Sequence, residues 1–391
     1  MCYSKDDGGY RCMPPQSLLN AYKGSPNNDY APRESNGAFW LNQSDPAPHL
    51  MEIQDEAESL GTIIFMIEDT VKLESEISHL GNMIAKYSDS KVEDFDRRLK
   101  HAQDLGFKYN QAYSGNMSSA ELERLRVKAI DANLALSYES RYHLQETLEQ
   151  VSHFGHTLNV DIPDDDGIGP EFRPAFNDAL RRASTAYPST WNRALEDRLQ
   201  LTYVFKNENS SFNRFNNEIK ISHDDVKFVS YSSLAEAQKA RAEDEFAYAT
   251  HVEMVHELAH KFEFVQPDIV RASRSFLKRR ALPGQHIHFD GNRVVKDHFT
   301  WDYAGQLWGN RHTEVFSVGM ESTMLGTQGA SIGLALPDDE YSPTIRHYRP
   351  DIEHRNLILG ILASVSIPFN NDNKGMPVDT MFGPVEPMPF R

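Results

Sequence analysis

VHELAHKFEF (255–264) places His256, Glu257 and His260 in the order H-E-x-x-H. Residues four apart on an α-helix share one face, one turn apart. Both imidazoles can then aim a ring nitrogen at one ion about 2.0–2.1 Å away. Glu257 is turned roughly 100° from His256, where it can reach a metal-bound water without binding the metal itself. Hydrolysis needs that division of labour: the metal acidifies the water and the carboxylate takes its proton. With the chain's His and Glu content, chance alone spells the pattern in about one such chain in twenty. The surrounding sequence therefore has to decide.

The flanks speak both ways. Met254, Val255, Leu258, Ala259 and Phe262 supply apolar packing around the motif, while Lys261 and Glu263 put charge where a buried site more often has none. Ser233 and Glu236 form a capping-box pattern, so a helix is expected from there toward Phe264, ended by Pro267. Upstream, FRPAFNDALRRASTAY (172–187) reads as a helix. LQLTYVF (199–205) alternates as a strand, with Leu199, Leu201, Tyr203 and Phe205 on one face. Residues 206–213 read as a loop, and NEIKIS (217–222) as a second short strand with Ile219 and Ile221 on one face.

A third ligand is needed. Glu263 and Gln266 stand where an extended H-x-x-G-x-x-H site would have Gly and His, which excludes that arrangement. RHTEVFSVGMESTMLG (311–326) is the better source, as a helix capped by Thr313 and closed by Gly326. Glu314, Ser317, Val318 and Glu321 fall on one face of it. Gly319 in mid-helix costs about 1 kcal/mol relative to Ala, a cost explained by close approach of another helix, with the metal helix as the expected neighbour. The 53 residues between His260 and Glu314 hold His286, His288, Asp290, Asp302, Tyr303, Arg311 and His312. Tyr303, Arg311 and His312 are candidate donors to an oxyanion, Tyr303 and His312 being assigned catalytic roles beside Glu257. HIH (286–288) reads as an exposed strand rather than an accessory metal pair.

HELAH followed by a helix beginning TEVFSVGME resembles the gluzincin branch of zinc metallopeptidases. It is especially similar to peptidase-like domains of bacteriophages and actinobacterial mobile elements, in which a strand like FNRFNNEIKIS precedes the metal helix and a T-E-x-x-S-x-G-x-E helix follows. The resemblance covers roughly residues 171–335. It implies a zincin-like domain, a Zn2+ cofactor held by His256, His260 and Glu314, and a peptide or protein substrate. Glu321 then supports the site rather than ligating, although Glu321 or a His or Asp from 286–312 remains an alternative third ligand. It also implies that the NEIKIS strand is a sheet edge on which an extended substrate adds a strand, with Asn216 and Asn217 near the entrance.

The rest of the chain sets the frame. With 391 residues and a net charge of −17, nucleic acid is not expected as a general partner. The basic stretch RASRSFLKRR (271–280) reads as an amphipathic helix with a solvated basic face. Two cysteines, Cys2 and Cys12, make no disulfide framework and point to a reducing compartment. With no signal-like h-region and IIFMI (63–67) far too short to span a bilayer, a cytoplasmic protein without a membrane is expected.

The expected fold class is α+β: a helical bundle or coiled-coil hairpin followed by the zincin-like domain. Residues 1–48 read as irregular, 49–160 as the helical domain, 171–365 as the zincin-like domain and 366–391 as an extended tail. DIPDDDGIGP (161–170) is the boundary. Helices are expected over 51–87, 92–107 and 118–153, the last opened by a Ser118/Glu121 capping box. These helices also offer a surface for self-association. PDIEHRNLILGILA (350–363) reads as a helix that closes the catalytic part or packs on the bundle. The competing functional class is a catalytically inactive zincin-like structural or interaction protein whose helical half mediates assembly.

Overall fold

The computed structural model describes residues 2–4, 10–12, 48–113, 115, 117–152, 154–158, 173–195, 199–204, 210–213, 218–222, 242–280, 286–289, 292–295, 302–308, 312–325 and 351–365. Helices dominate these residues and the strands form small sheets, an α+β arrangement. The boundary at 161–170, the Ser233/Glu236 cap, Asn216, Asn217, Asp290, Arg311, Gly326 and the tail from 366 onward lie outside the described residues.

Inside the N-terminal segment read as irregular, β1 (Cys2–Ser4) and β2 (Tyr10–Cys12) pair antiparallel, with Cys2 opposite Cys12. The expected helix over 51–87 is in fact two. α1 (Pro48–Ile63) runs into a 3-10 turn at Ile64–Met66, and α2 (Thr70–Asp89) restarts after it. The restart is a cap: Asp69 accepts from the N–H groups of Val71 (2.9 Å) and Lys72 (3.3 Å). The break rotates the stripe, so Ile63, read as a core position, is exposed, while Leu73, Ile77, Leu80 and Ile84 are fully buried.

α3 (Phe95–Tyr113) begins and ends later than the expected 92–107, and packs on α4 (Ser119–Ser152). At the start of α4 the Ser118 hydroxyl accepts from the Glu121 N–H at 3.4 Å and donates to the Glu121 carboxylate at 2.5 Å. α5 (Arg173–Thr185) and α6 (Ser189–Leu195) follow.

β3 (Gln200–Val204) pairs parallel with β5 (Glu218–Ser222), and β4 (Ser211–Asn213) pairs antiparallel with β5. The strand order β3-β5-β4 corrects two expectations. Part of the expected loop is a strand, and NEIKIS is the sheet's centre rather than its edge. Burial accounts for the second: Ile219 and Ile221 are 0% exposed, whereas Ser211 and Asn213 on β4 are exposed. Apolar side chains fully covered on a middle strand leave the polar strand outside.

The motif helix is α7 (Ala242–Val265). α8 (Pro267–Arg280) follows after a one-residue break. A meander of β6 (His286–Phe289), β7 (Asn292–Val295), β8 (Gln306–Trp308) and β9 (His312–Thr313) leads to α9 (Val315–Met320), with a 3-10 turn at Asp302–Gly305 ahead of β8. α9 continues as a π-helical turn over Glu321–Leu325, and α10 (Ile352–Ser364) is the last described helix.

The basic face of α8 is solvated only in part: Lys278 and Arg279 are exposed, but Arg271, Arg279 and Arg280 are also paired. Arg279 pairs with Glu74 of α2 and with Glu353 of α10, and Arg280 grips Asp351 through both nitrogens at 2.7 and 3.0 Å. Arg271 donates to the carbonyls of Ile67 and Glu68 between α1 and α2. These charges tie the α7–α8 region to the helical half, which is why a run of arginines can coexist with buried neighbours.

One apolar cluster runs from Ile53 through Trp191, Phe262 and Phe316 to Val365. Its closest seam is between α2 and α10. A Cβ added at Gly81 would lie 1.7 Å from the Asn356 carbonyl oxygen, and one at Gly360 would lie 1.8 Å from that of Ile77. Neither backbone can yield cheaply. Gly360→Ala is expected to destabilise the protein by about 3 kcal/mol, read from urea unfolding. Beside the seam Arg355 binds Asp89 through both nitrogens (2.7 and 2.8 Å), and Ser140 of α4 donates to the same carboxylate at 2.9 Å.

Among the described residues, no helix is long and apolar enough to cross a membrane.

Candidate metal centre

The centre forms where α7 meets α9. His256 and His260 lie one turn apart on α7 and meet edge to face, with ring centroids 4.8 Å apart. Glu314 arrives from the meander. It follows β9 directly, and its N–H donates to the Gln306 carbonyl of β8 at 3.2 Å. The Thr313 hydroxyl accepts from the Val315 N–H at 3.3 Å, fixing the turn into α9. Within the 53 residues separating the two segments in sequence, the antiparallel pair of β8 and β9 supports this one carboxylate.

The donor atoms form a triangle. His256 Nε2 is 3.1 Å from Glu314 Oε2, His260 Nε2 is 3.3 Å from it, and the two Nε2 atoms are 3.1 Å apart. Ligands 2.0–2.1 Å from a tetrahedral ion are separated by about 3.3 Å. The triangle therefore has the edge lengths of three tetrahedral vertices, leaving the fourth for water or substrate.

The opposite ring nitrogens are committed elsewhere. His256 Nδ1 contacts Glu321 Oε1 at 2.5 Å, and His260 Nδ1 contacts Glu263 Oε2 at 3.1 Å. A carboxylate is acceptor-only, so each Nδ1 carries a proton, and wherever the imidazole is neutral its Nε2 presents a lone pair. Two nitrogen lone pairs and a carboxylate oxygen facing one another at this range repel unless protons or a cation lie between them. Glu257 (4% exposed), Glu263 (0%), Glu314 (1%) and Glu321 (7%) bring four carboxylates into this small volume. Such an excess of buried negative charge fits a divalent cation. His256, His260 and Glu314 are the residues that can hold it.

Titration follows the same electrostatics. Burial alone would lower both imidazoles, but Glu314 and Glu321 hold His256 well above its usual range. Glu314 and Glu263 likewise push His260 up to about 10. Burial alone would raise Glu314, yet His260 and His256 hold it well below the usual carboxylate range. Burial raises Glu263.

The metal-free protein then has a defined pH profile. A raised histidine contributes stability that is complete below its unfolded value of 6.5 and lost as the pH rises through 10. A depressed carboxylate contributes above its unfolded value of 4.5 and loses its contribution as the pH falls below it. Melting temperature without metal is expected to fall between pH 6.5 and 10. Saturation with metal should remove that fall, because metal-bound imidazoles are already neutral. Thermal unfolding across this range with and without Zn2+ checks it.

Further groups surround the triangle. The Ser317 hydroxyl donates to Glu314 Oε2 at 2.6 Å. Tyr303, in the 3-10 turn before β8, stacks on His256 at 6.3 Å and 28°. Burial first, then Glu314, Glu257, Glu321 and Glu253, raise its phenol well above the ordinary value, so it stays a neutral donor. Tyr187 of the α5–α6 turn donates to the Val255 carbonyl at 2.5 Å, just ahead of His256. The π turn begins at Glu321 itself, and its wider pitch is a recurrent mark of functional helices.

Of the residues singled out in the sequence, the structure brings His256, His260, Glu314, Glu321 and Tyr303 together. Glu257 sits on the same turn as His256. His312 enters β9 opposite Trp308, its side chain lying outside those described, as do the side chains of His286 and His288.

Lys261 and Glu263, which counted against a buried site, are both buried. Lys261 Nζ lies over the rings of Phe212 (5.2 Å) and Phe264 (5.4 Å), and Glu263 serves His260. The signal for Glu263 was its position three residues beyond His260, on the adjacent turn. The expected neighbour of Gly319 is also corrected: a Cβ there would meet Ile358 and His354 of α10 at 2.3 and 2.6 Å, not the metal helix. Compared with known proteins, the chain matches no family model, no curated protein and no solved structure.

Proposed function

We propose that the chain is a zinc-dependent peptidase of zincin-like, gluzincin type, with Zn2+ held by His256, His260 and Glu314. The observation that carries it is the triangle of two Nε2 atoms and one carboxylate oxygen at 3.1–3.3 Å, with both Nδ1 atoms committed to carboxylates. Bound zinc supplies an acidified water and polarisation of the scissile carbonyl.

The protein's own residues do the rest. Glu263 and Glu321 keep the imidazoles in one tautomer and one orientation. Glu257, next to His256 and not among the triangle, takes the proton of the attacking water and returns it to the leaving amine. Tyr303, held neutral, donates its hydroxyl toward the developing oxyanion. β4, the outer strand of its sheet among the described residues and packed on α7, is the side on which an extended peptide would add a strand.

The test is metal analysis of the purified full-length chain, followed by cleavage mapping on a proteome-derived peptide library with and without a chelator. About one zinc per chain is expected, with cleavage lost on chelation and restored by Zn2+. Zinc without cleavage would favour a metal-holding scaffold, and cleavage undiminished in chelator would remove the metal from the reaction.

A further inference from the structure

We propose that His354, on α10, is a positioning residue for the metal centre: it holds the short helix α9 so that Glu314 and Glu321 both reach the motif histidines. This rests on the metal-centre reading above. α9 and its π-helical continuation run only from Val315 to Leu325, with Glu314 as N-cap and Glu321 at the junction of the two. Both carboxylates turn toward His256, through Nε2 at one end and Nδ1 at the other. A helix this short has almost no intrinsic stability. Something outside it must fix where its two ends point.

α10 does this from behind. His354 Nε2 lies 2.6 Å from the Val315 carbonyl oxygen, one residue past Glu314, and donates to it. The same Nε2 lies 2.6 Å from where a Cβ on Gly319 would stand, and Ile358 Cδ1 lies 2.3 Å from it. Gly319 is thus the gap through which α10 reaches the backbone of α9. Every hold on His354 is itself anchored. Its N–H donates to Asp351 at 3.0 Å, Asp351 is gripped by Arg280, and its ring stacks on Phe276 of α8 at 5.7 Å and 28°. The next residue, Arg355, is locked to Asp89 of α2. A path from the helical half to the third ligand therefore runs through a buried imidazole.

The experiment is a Zn2+ titration of the metal-free full-length protein against a competing chelating dye, for wild type, His354→Leu, His354→Gln and Ile358→Val. Co2+ absorption spectra serve as a second readout, and circular dichroism verifies folding. His354→Leu removes the donor and is expected to weaken Zn2+ binding by about 10- to 100-fold and to change the Co2+ band. His354→Gln keeps an N–H and is expected to recover most of the affinity and the wild-type band.

Where His354→Leu does not fold, Ile358→Val carries the test. It deletes the Cδ1 methyl behind Gly319, and a loss of roughly two- to fivefold in Zn2+ affinity is expected. Wild-type affinity in folded His354→Leu, unchanged affinity in Ile358→Val where that variant carries the test, or equal losses in the Leu and Gln variants would overturn the positioning role alone. Absence of Zn2+ binding by the wild type would instead overturn the metal centre, and this role with it.

Discussion

Glu257→Gln is expected to keep fold and zinc while lowering peptide hydrolysis by about 10²- to 10⁴-fold, the usual contribution of a positioned general base. The change is nearly isosteric, so the buried pocket keeps its packing. It leaves His256, His260 and Glu314 in place, so metal content should match the wild type. What disappears is the ability to take a proton from water, because an amide is not a base. Rate and metal content must therefore separate. An unchanged rate at full zinc occupancy would remove Glu257 from the chemistry, and a joint loss of zinc and rate would make it a ligand.

Glu314→Ala is expected to cost about a thousandfold in zinc affinity. A full structural ligand set is worth roughly 10–16 kcal/mol, so one ligand of the set carries on the order of 4 kcal/mol. The variant also takes from the fully buried Ser317 hydroxyl its shorter acceptor, the carboxylate at 2.6 Å, leaving the main-chain carbonyl of residue 314 at 3.3 Å. Glu321→Gln should cost less, about 10- to 100-fold, because it disturbs only the outer nitrogen of His256. The order of the two losses, measured by competition with a chelating dye, distinguishes ligand from support. A larger loss in Glu321→Gln would exchange their roles.

What the chain disclosed in advance follows from the range of the forces involved. Spacings along one helix are local, so the His256–His260 pair and the flanking position of Glu257 were legible. Ile219 and Ile221 on one buried face were legible for the same reason. The resemblance supplied Glu314 as the third ligand, and the structure brings it against both imidazoles. Glu263 was visible but misweighed: charge beside a buried site counts as a defect until its partner, a histidine Nδ1, is known.

The break at Ile64–Met66 was missed because the apolar spacing continues across it, and a single Asp cap outweighed the period. Gly319 signalled a close approach, but a glycine does not say who approaches. The arginines of α8 read as solvated because Glu74 and Asp351 are far away in sequence. Strand order was likewise hidden, since nothing local to NEIKIS tells a middle strand from an outer one.

The clasp between Asp89 and Arg355 spans 266 positions of chain. Closing so wide a loop is slow, because entropy is lost before the contact returns anything. During synthesis the motif histidines leave the ribosome well before α10 exists, and α10 is the wall against which α9 is set. A nascent chain would therefore carry an imidazole pair with its carboxylate partner unplaced, and the triangle would close only once residues near 365 had emerged. On the proposed metal-centre reading, the site is completed only late in the chain's own synthesis.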